Sequence, residues 1–75
     1  MAWTQKQLTE IIERNETWLL NQTGVVGVGV GFGGDGNACV EVLTDGLSPA
    51  VHRSVEQRFT GIPLTFTNTG PVKAL

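Results

Sequence analysis

Gly24-Val-Val-Gly-Val-Gly-Val-Gly-Phe-Gly33 is the stretch of sequence that decides how this chain folds. Successive side chains of a β-strand point to opposite faces of its sheet, so residues two apart share a face. One face of this stretch carries branched and aromatic side chains, those of Val26, Val28, Val30 and Phe32. The other face is nearly bare backbone and consists of Val25, Gly27, Gly29 and Gly31. We therefore expect a strand whose apolar face is covered by the rest of the chain.

The length and composition of the chain predict one small globular domain over residues 1–75. Of the 75 residues, 40% are hydrophobic and 16% are charged, which is a globular rather than a disordered composition. A domain this short buries only about 60% of the surface that its unfolded chain exposes, so its stability is marginal. Cys39 is the single cysteine, which excludes an intrachain disulfide, and the soft metal-binding side chains are few and far apart in sequence. Self-association is then the expected source of extra stability.

The charge and hydropathy of the chain argue against two classes of partner. The net charge is −2 and the basic residues are scattered, whereas surfaces that bind nucleic acid are usually basic. No apolar run approaches the roughly 18 residues of a membrane span. The N-terminus lacks a basic segment followed by an apolar one, so we expect no signal peptide and a cytoplasmic location.

Five elements follow from hydrophobic periodicity and from the residues that begin and end helices. We predict a helix over residues 4–21, strands over 25–32 and 38–43, a helix from Ser48-Pro49 to about Phe59, and a strand over 62–67. A turn over Gly33–Asn37, in which Asp35 and Asn37 favour chain reversal, joins the first two strands into a hairpin. A short tail over 72–75 is expected to add a few edge contacts.

The order α-β-β-α-β predicts an α+β fold, a two-layer sandwich with two helices on one face of a three-stranded mixed sheet. The second helix connects strands two and three, which should therefore run parallel. The first strand is the most apolar, so we place it between the other two, which gives the strand order 2-1-3. Pro63 cannot donate a ladder hydrogen bond, and this puts the third strand at a sheet edge.

The residues that could carry chemistry do not form a recognisable catalytic or ligand-binding set. Gly29, Gly31 and Gly34 spell G-x-G-x-x-G, but a dinucleotide-binding motif opens a helix, whereas a turn and a strand follow here. Cys39 would need a base to act as a nucleophile. His52, the single histidine, lies on a helix expected against the opposite face of the sheet. We therefore predict no enzymatic activity, no cofactor and no metal site.

The glycine face carries the strongest indication of function. Each glycine in a strand interior costs about 0.5–1 kcal/mol relative to alanine, so three on one face indicate that something approaches this backbone closely. Side chains of the second and third strands flank the glycines. We predict an interface formed by Gly27, Gly29, Gly31, Cys39, Glu41, Leu43, Thr65 and Thr67. Two alternatives stay open, a bare solvated face and the floor of a small-molecule site completed by the Gly33–Asn37 turn.

Several segments together resemble a known type of domain. They are Leu19-Leu20, Gly24–Gly31, the turn around Gly36, Cys39–Leu43, Gly61–Leu64 and Thr69–Ala74. In these segments the chain is similar to a small uncharacterised bacterial αββαβ domain, found alone or preceding trypsin-like serine peptidase domains. The resemblance implies a structural or interaction module rather than an enzyme, and it supplies no catalytic residues.

The sequence thus predicts a non-enzymatic, self-associating protein-interaction module, with a homodimer as the first expectation. The main alternative is a small-molecule-binding domain that uses the glycine-lined sheet face. A third is a pro-segment-like or regulatory domain associated with a peptidase, which follows from the resemblance alone.

Overall fold

The structure, a computed structural model, describes residues 3–70. It contains the five predicted elements in the predicted order: α1 (Gln5–Leu20), β1 (Val25–Phe32), β2 (Ala38–Thr44), α2 (Pro49–Arg58) and β3 (Leu64–Asn68). The largest shift is at the third strand, which begins at Leu64 rather than at residue 62. The predicted tail over 72–75 lies outside the described residues.

Both helices begin at the capping residues that the sequence indicates. Thr4 and Gln7 form a capping box, in which Oγ1 of Thr4 accepts from the backbone N–H of Gln7 at 3.1 Å. The side chain of Gln7 in turn accepts from the backbone N–H of Thr4 at 2.9 Å. At α2, Oγ of Ser48 accepts from the backbone N–H of Val51 at 3.2 Å, and Pro49 is the first helical residue.

The sheet has the order β1-β2-β3, so the predicted order 2-1-3 is wrong. β1 and β2 are antiparallel, and β2 and β3 are parallel, as the hairpin and the crossover helix predict. β2 takes the centre because it carries a side chain at every position and buries most of them, whereas alternate residues of β1 from Gly27 to Gly31 have none. β3 lies at an edge, and Pro63 joins the sheet only as an acceptor, from the N–H of Val40 at 2.9 Å.

A β-bulge near the start of β1 changes which residues share a face. Val25 lies opposite Thr44 and Gly27 lies opposite Leu43, so β1 contains one extra residue, Val26, relative to β2 at this point. Val25, predicted on the glycine face, is therefore buried in the core on the helix side of the sheet. Val26, predicted on the apolar face, lies outside the core cluster that residues 3–70 form. Bulges favour sheet edges, which agrees with the position of β1.

The hydrophobic core lies between the two helices and one face of the sheet, which confirms the α+β class. Its buried residues come from the helices or their ends and from β1 and β2: Leu8, Ile12, Leu19, Val25, Ala38, Val40, Val42, Val55 and Phe59. Val28 and Val30 pack against this cluster from β1. Phe32, predicted on the same apolar face, is instead 63% exposed, because it occupies the last ladder position of an edge strand.

A polar bridge joins the two helices. Nε of Arg58 donates to Oδ1 of Asn15 at 2.9 Å, and Nδ2 of Asn15 donates to the carbonyl of Ile11 at 2.8 Å. The Arg58 guanidinium also lies 4.5 Å from the ring centroid of Trp18. Asn15, which interrupts the apolar stripe of α1 in the sequence, thus connects α1 to the end of α2.

Candidate interaction surface

We define the open face as the side of the sheet opposite α1 and α2. The pairing register brings the eight predicted interface residues together on this face. One row joins Gly31 and Cys39, a second joins Gly29, Glu41 and Thr65, and a third joins Gly27, Leu43 and Thr67. These residues lie together although the predicted strand order is wrong, because β2 pairs with β1 on one side and with β3 on the other.

The three glycines of the open face differ in the room around them. None has a positive φ, so backbone conformation does not require glycine at these positions. A Cβ at Gly27 would lie 3.2 Å from Cδ1 of Leu43, and a Cβ at Gly31 would lie 3.2 Å from Cβ of Glu41. A Cβ at Gly29 would have no heavy atom within 4 Å. Neighbouring side chains thus leave little room for a side chain at Gly27 and Gly31. The packing of the described residues does not explain why position 29 is a glycine.

The β2–β3 half of the open face carries polar side chains beside Leu43. Oγ1 of Thr67 donates to Oε2 of Glu41 at 3.3 Å, and Sγ of Cys39 lies 3.6 Å from Oγ1 of Thr65. Cys39 is only 3% exposed, so its thiol is a buried group with a hydroxyl partner. The open face therefore combines flat glycine backbone on β1 with a carboxylate and hydroxyl groups that can hydrogen-bond to another surface.

The sheet separates Cys39 from His52. The His52 ring centroid lies 4.0 Å from that of Phe66, and Nδ1 of His52 lies 2.9 Å from Oε1 of Glu56 on the same helix. Phe66 lies opposite Val42, whose side chain is in the core, and so His52 is on the helix side of the sheet. The thiol and the imidazole are therefore not brought together as a nucleophile and its base.

The hairpin turn is held by the side chain of Asp35. Oδ1 of Asp35 accepts from the backbone N–H of Asn37 at 3.0 Å, and Oδ2 accepts from Nδ2 of Asn37 at 3.1 Å. These hydrogen bonds, the backbone one first, hold the pKa of the Asp35 carboxyl below its ordinary value of 3.8. The interpretation of both residues as turn residues is confirmed.

A cleft of about 510 Å³ opens beside the hairpin turn. It is lined by Trp3, by the turn around Asp35, by Cys39 and by residues 63–65. The predicted small-molecule site combined the glycine face with this turn. The turn does border a cleft, but the glycines of the open face, from Gly27 to Gly31, do not line it.

Sequence reasoning missed two features of this surface. Trp3 precedes α1 in the sequence, and only the tertiary structure places it at one cleft with Cys39 and Thr65. The outer edge of β1 was missed because the predicted strand order placed β1 at the centre. The alternation of glycine was the available signal, since a strand without side chains at alternate positions packs poorly between two others.

No protein-family model, no curated protein and no solved structure matches the chain. The likeness to the bacterial αββαβ domain, and any association with a peptidase, therefore stay predictions. Among residues 3–70, no three His, Cys, Asp or Glu side chains are grouped as metal ligands. No helix in the described part of the chain has the length and apolarity needed to cross a membrane.

Proposed function

We propose that the protein is a non-enzymatic interaction module that self-associates through the part of its sheet that the helices leave uncovered. Gly29 carries this proposal, because a Cβ there would meet nothing within 4 Å and the backbone does not need glycine. Alanine at such a position favours the strand by about 0.5–1 kcal/mol over glycine. A bare backbone kept at this cost supports close approach by another molecule.

Two further observations support a protein partner, with a second copy first. The single chain exposes large apolar side chains, with Phe32 63% and Leu20 46% exposed. The net charge of −2 favours a protein surface over nucleic acid, and the cytoplasmic location predicted from the sequence is part of the proposal. Two arrangements place Gly29 at a contact, packing of two open faces or joining of two sheets at the edge of β1.

The solution mass tests the proposed function directly. Light scattering on a size-exclusion column, over a wide range of protein concentration, should give at least twice the mass of one chain at the upper end. Association should reverse on dilution, as expected of a small domain that gains stability from a second copy. A mass of one chain at the highest concentration would overturn the proposal.

A small-molecule-binding function is the second candidate, and the cleft favours it. Its volume of about 510 Å³ lies within the range of ligand sites, and its lining includes the aromatic residue Trp3 and the hydroxyl-bearing residue Thr65. A thermal-shift screen of small molecules should then find a compound that raises the unfolding temperature of the wild type. The shift should be lost in Trp3→Leu and kept in the control variant Phe32→Leu. A compound that stabilises both variants equally binds elsewhere and contradicts the cleft as the site.

A further inference from the structure

We propose that the outer edge of β1 pairs antiparallel with β1 of a second copy, so that two three-stranded sheets become one continuous sheet. The inference rests on the proposed self-association and assigns the surface that carries it. Three observations support it. Backbone N–H and C=O groups of β1 point away from β2, the strand lacks the features that usually prevent edge pairing, and one aromatic side chain is exposed.

The hydrogen-bonding pattern of the hairpin shows which backbone groups of β1 are used inside the chain. Opposite pairs in an antiparallel ladder alternate between hydrogen-bonded and non-hydrogen-bonded pairs. The N–H of Gly33 donates to the carbonyl of Asn37 at 2.9 Å, and this pair continues the register of β1 and β2. The N–H of Val40 points the other way, to Pro63. The pair of Val30 with Val40 is therefore of the non-hydrogen-bonded kind.

The alternation leaves three residues of β1 whose N–H and C=O groups both point away from β2: Val28, Val30 and Phe32. In the described part of the chain, β2 is the only strand that pairs with β1. A row of backbone donors and acceptors at a free edge is a template for the addition of another strand.

The edge of β1 lacks the features that usually prevent such pairing. Natural edge strands are short, charged, interrupted by proline or twisted by a bulge. β1 has eight residues and contains no charged residue and no proline. Its bulge lies at the Val25–Gly27 end, so the stretch from Gly27 to Phe32 is regular. The opposite edge of the sheet, β3, has five residues and directly follows Pro63, which makes it the poorer template.

The direction of the free groups restricts the register of self-pairing. Because they belong to even-numbered residues, an antiparallel pair of β1 strands must place even residues opposite even residues. A twofold axis at Val30 pairs residues 28–32 of the two copies and places Phe32 of each copy opposite Val28 of the other. The aromatic ring, 63% exposed in one chain, then packs beside an apolar side chain across the junction.

The same register brings the glycines of the two copies together. Gly29 of one copy lies opposite Gly31 of the other in a non-hydrogen-bonded pair, in which Cα atoms approach to about 4.5 Å. The junction brings no like charges into opposition, because β1 has none. These properties favour a second copy of this strand over a peptide of another protein.

Four proteins compared by solution mass separate the edge from the open face. Val30→Pro removes the outward N–H at the twofold axis without removing a hydrogen bond to β2, and Val30→Ala shortens the same side chain but keeps the N–H. Thr67→Lys places a long charged side chain on the open face at β3, away from the edge of β1. We expect the dimer dissociation constant to rise at least about tenfold in Val30→Pro and far less in Val30→Ala and Thr67→Lys. Circular dichroism establishes that each variant is folded.

Amide hydrogen exchange of the wild type tests the edge without a substitution. The amide protons of Val28, Val30 and Phe32 should exchange slowly in concentrated solution and quickly on dilution. The amide proton of Gly29, which points to β2, should be protected under both conditions. Fast exchange of the three outward amides in a sample that is dimeric by mass would overturn the edge assignment.

The remaining outcomes separate this inference from the proposed function. A dimer that Thr67→Lys dissociates and Val30→Pro leaves intact would overturn the edge assignment and support packing of two open faces. A wild-type chain that stays monomeric would overturn the proposed function and the edge assignment together.

Discussion

Gly29 is a glycine that the packing within one chain does not require. We expect Gly29→Ala to raise the free energy of unfolding by about 0.5–1 kcal/mol, because the new methyl group meets open space and the unfolded chain loses freedom. Gly31→Ala is the matched control and should gain less, since its Cβ would lie 3.2 Å from Cβ of Glu41. Urea unfolding at a concentration low enough to keep the chain monomeric measures both. A destabilised Gly29→Ala would mean that the single chain needs glycine there.

Asp35 makes the stability of the hairpin turn depend on pH. Its pKa is lower in the folded chain than the ordinary value of 3.8, because Asn37 donates hydrogen bonds to the carboxylate. The ionised form therefore favours folding above 3.8, and this contribution is lost as the pH falls through the folded-state pKa. From about pH 6 to about pH 3, the wild type should lose more stability than Asp35→Asn, whose side chain does not titrate. Parallel curves for the two proteins would contradict this role of Asp35.

At the scale of single elements, α2 offers two serines with opposite roles. Ser48 caps the helix by accepting from Val51, so Ser48→Ala should lower the free energy of unfolding by about 1 kcal/mol. Ser54 lies inside the helix and donates to the carbonyl of Ala50 at 3.1 Å. Ser54→Ala should therefore be neutral or slightly stabilising, because alanine is the better interior residue. Thermal unfolding of the two variants measures the difference, and equal losses would show that the cap contributes nothing special.

The bounds of the elements could be predicted from the sequence because local residues determine them. Thr4 and Ser48 start the helices through hydrogen bonds to neighbouring backbone groups, and Asp35 closes the turn in the same way. The bulge at Val26 could not be predicted, since nothing in a Val-Val pair distinguishes a regular strand from an irregular one. Its result, the burial of Val25, depends on how β1 meets β2.

At the scale of the whole molecule, edge pairing predicts a melting temperature that depends on concentration. A dimer that forms only from folded chains stabilises them by mass action, so the unfolding temperature of the wild type should rise with protein concentration. Val30→Pro should show a flat dependence, whatever its own unfolding temperature. Differential scanning calorimetry over a concentration series measures both slopes. The same slope in the two proteins would contradict pairing at β1.

Strand order was the main global feature that the sequence did not determine. Apolar content placed β1 at the centre, but the central strand is paired on both sides and is the more buried strand, which suits the complete set of side chains on β2. The eight residues of the open face could be grouped correctly nonetheless, since a period of two depends on each strand alone. The cleft could not be predicted, because Trp3 and Thr65 are far apart in sequence and line one cleft only in the folded chain.

The bulge between Val25 and Gly27 also bears on slippage during folding. A strand of alternating valine and glycine repeats every two residues, so sliding it by one repeat along β2 would again place valines under the helices and glycines on the far side. Such misaligned hairpins would satisfy the same alternation and would therefore be competitors of the native one. The bulge makes the shifted alignments different from the native one, because only the native alignment places Val25 opposite Thr44 and inside the core. One inserted residue, together with the turn that Asp35 closes, thus gives a repetitive strand a unique position.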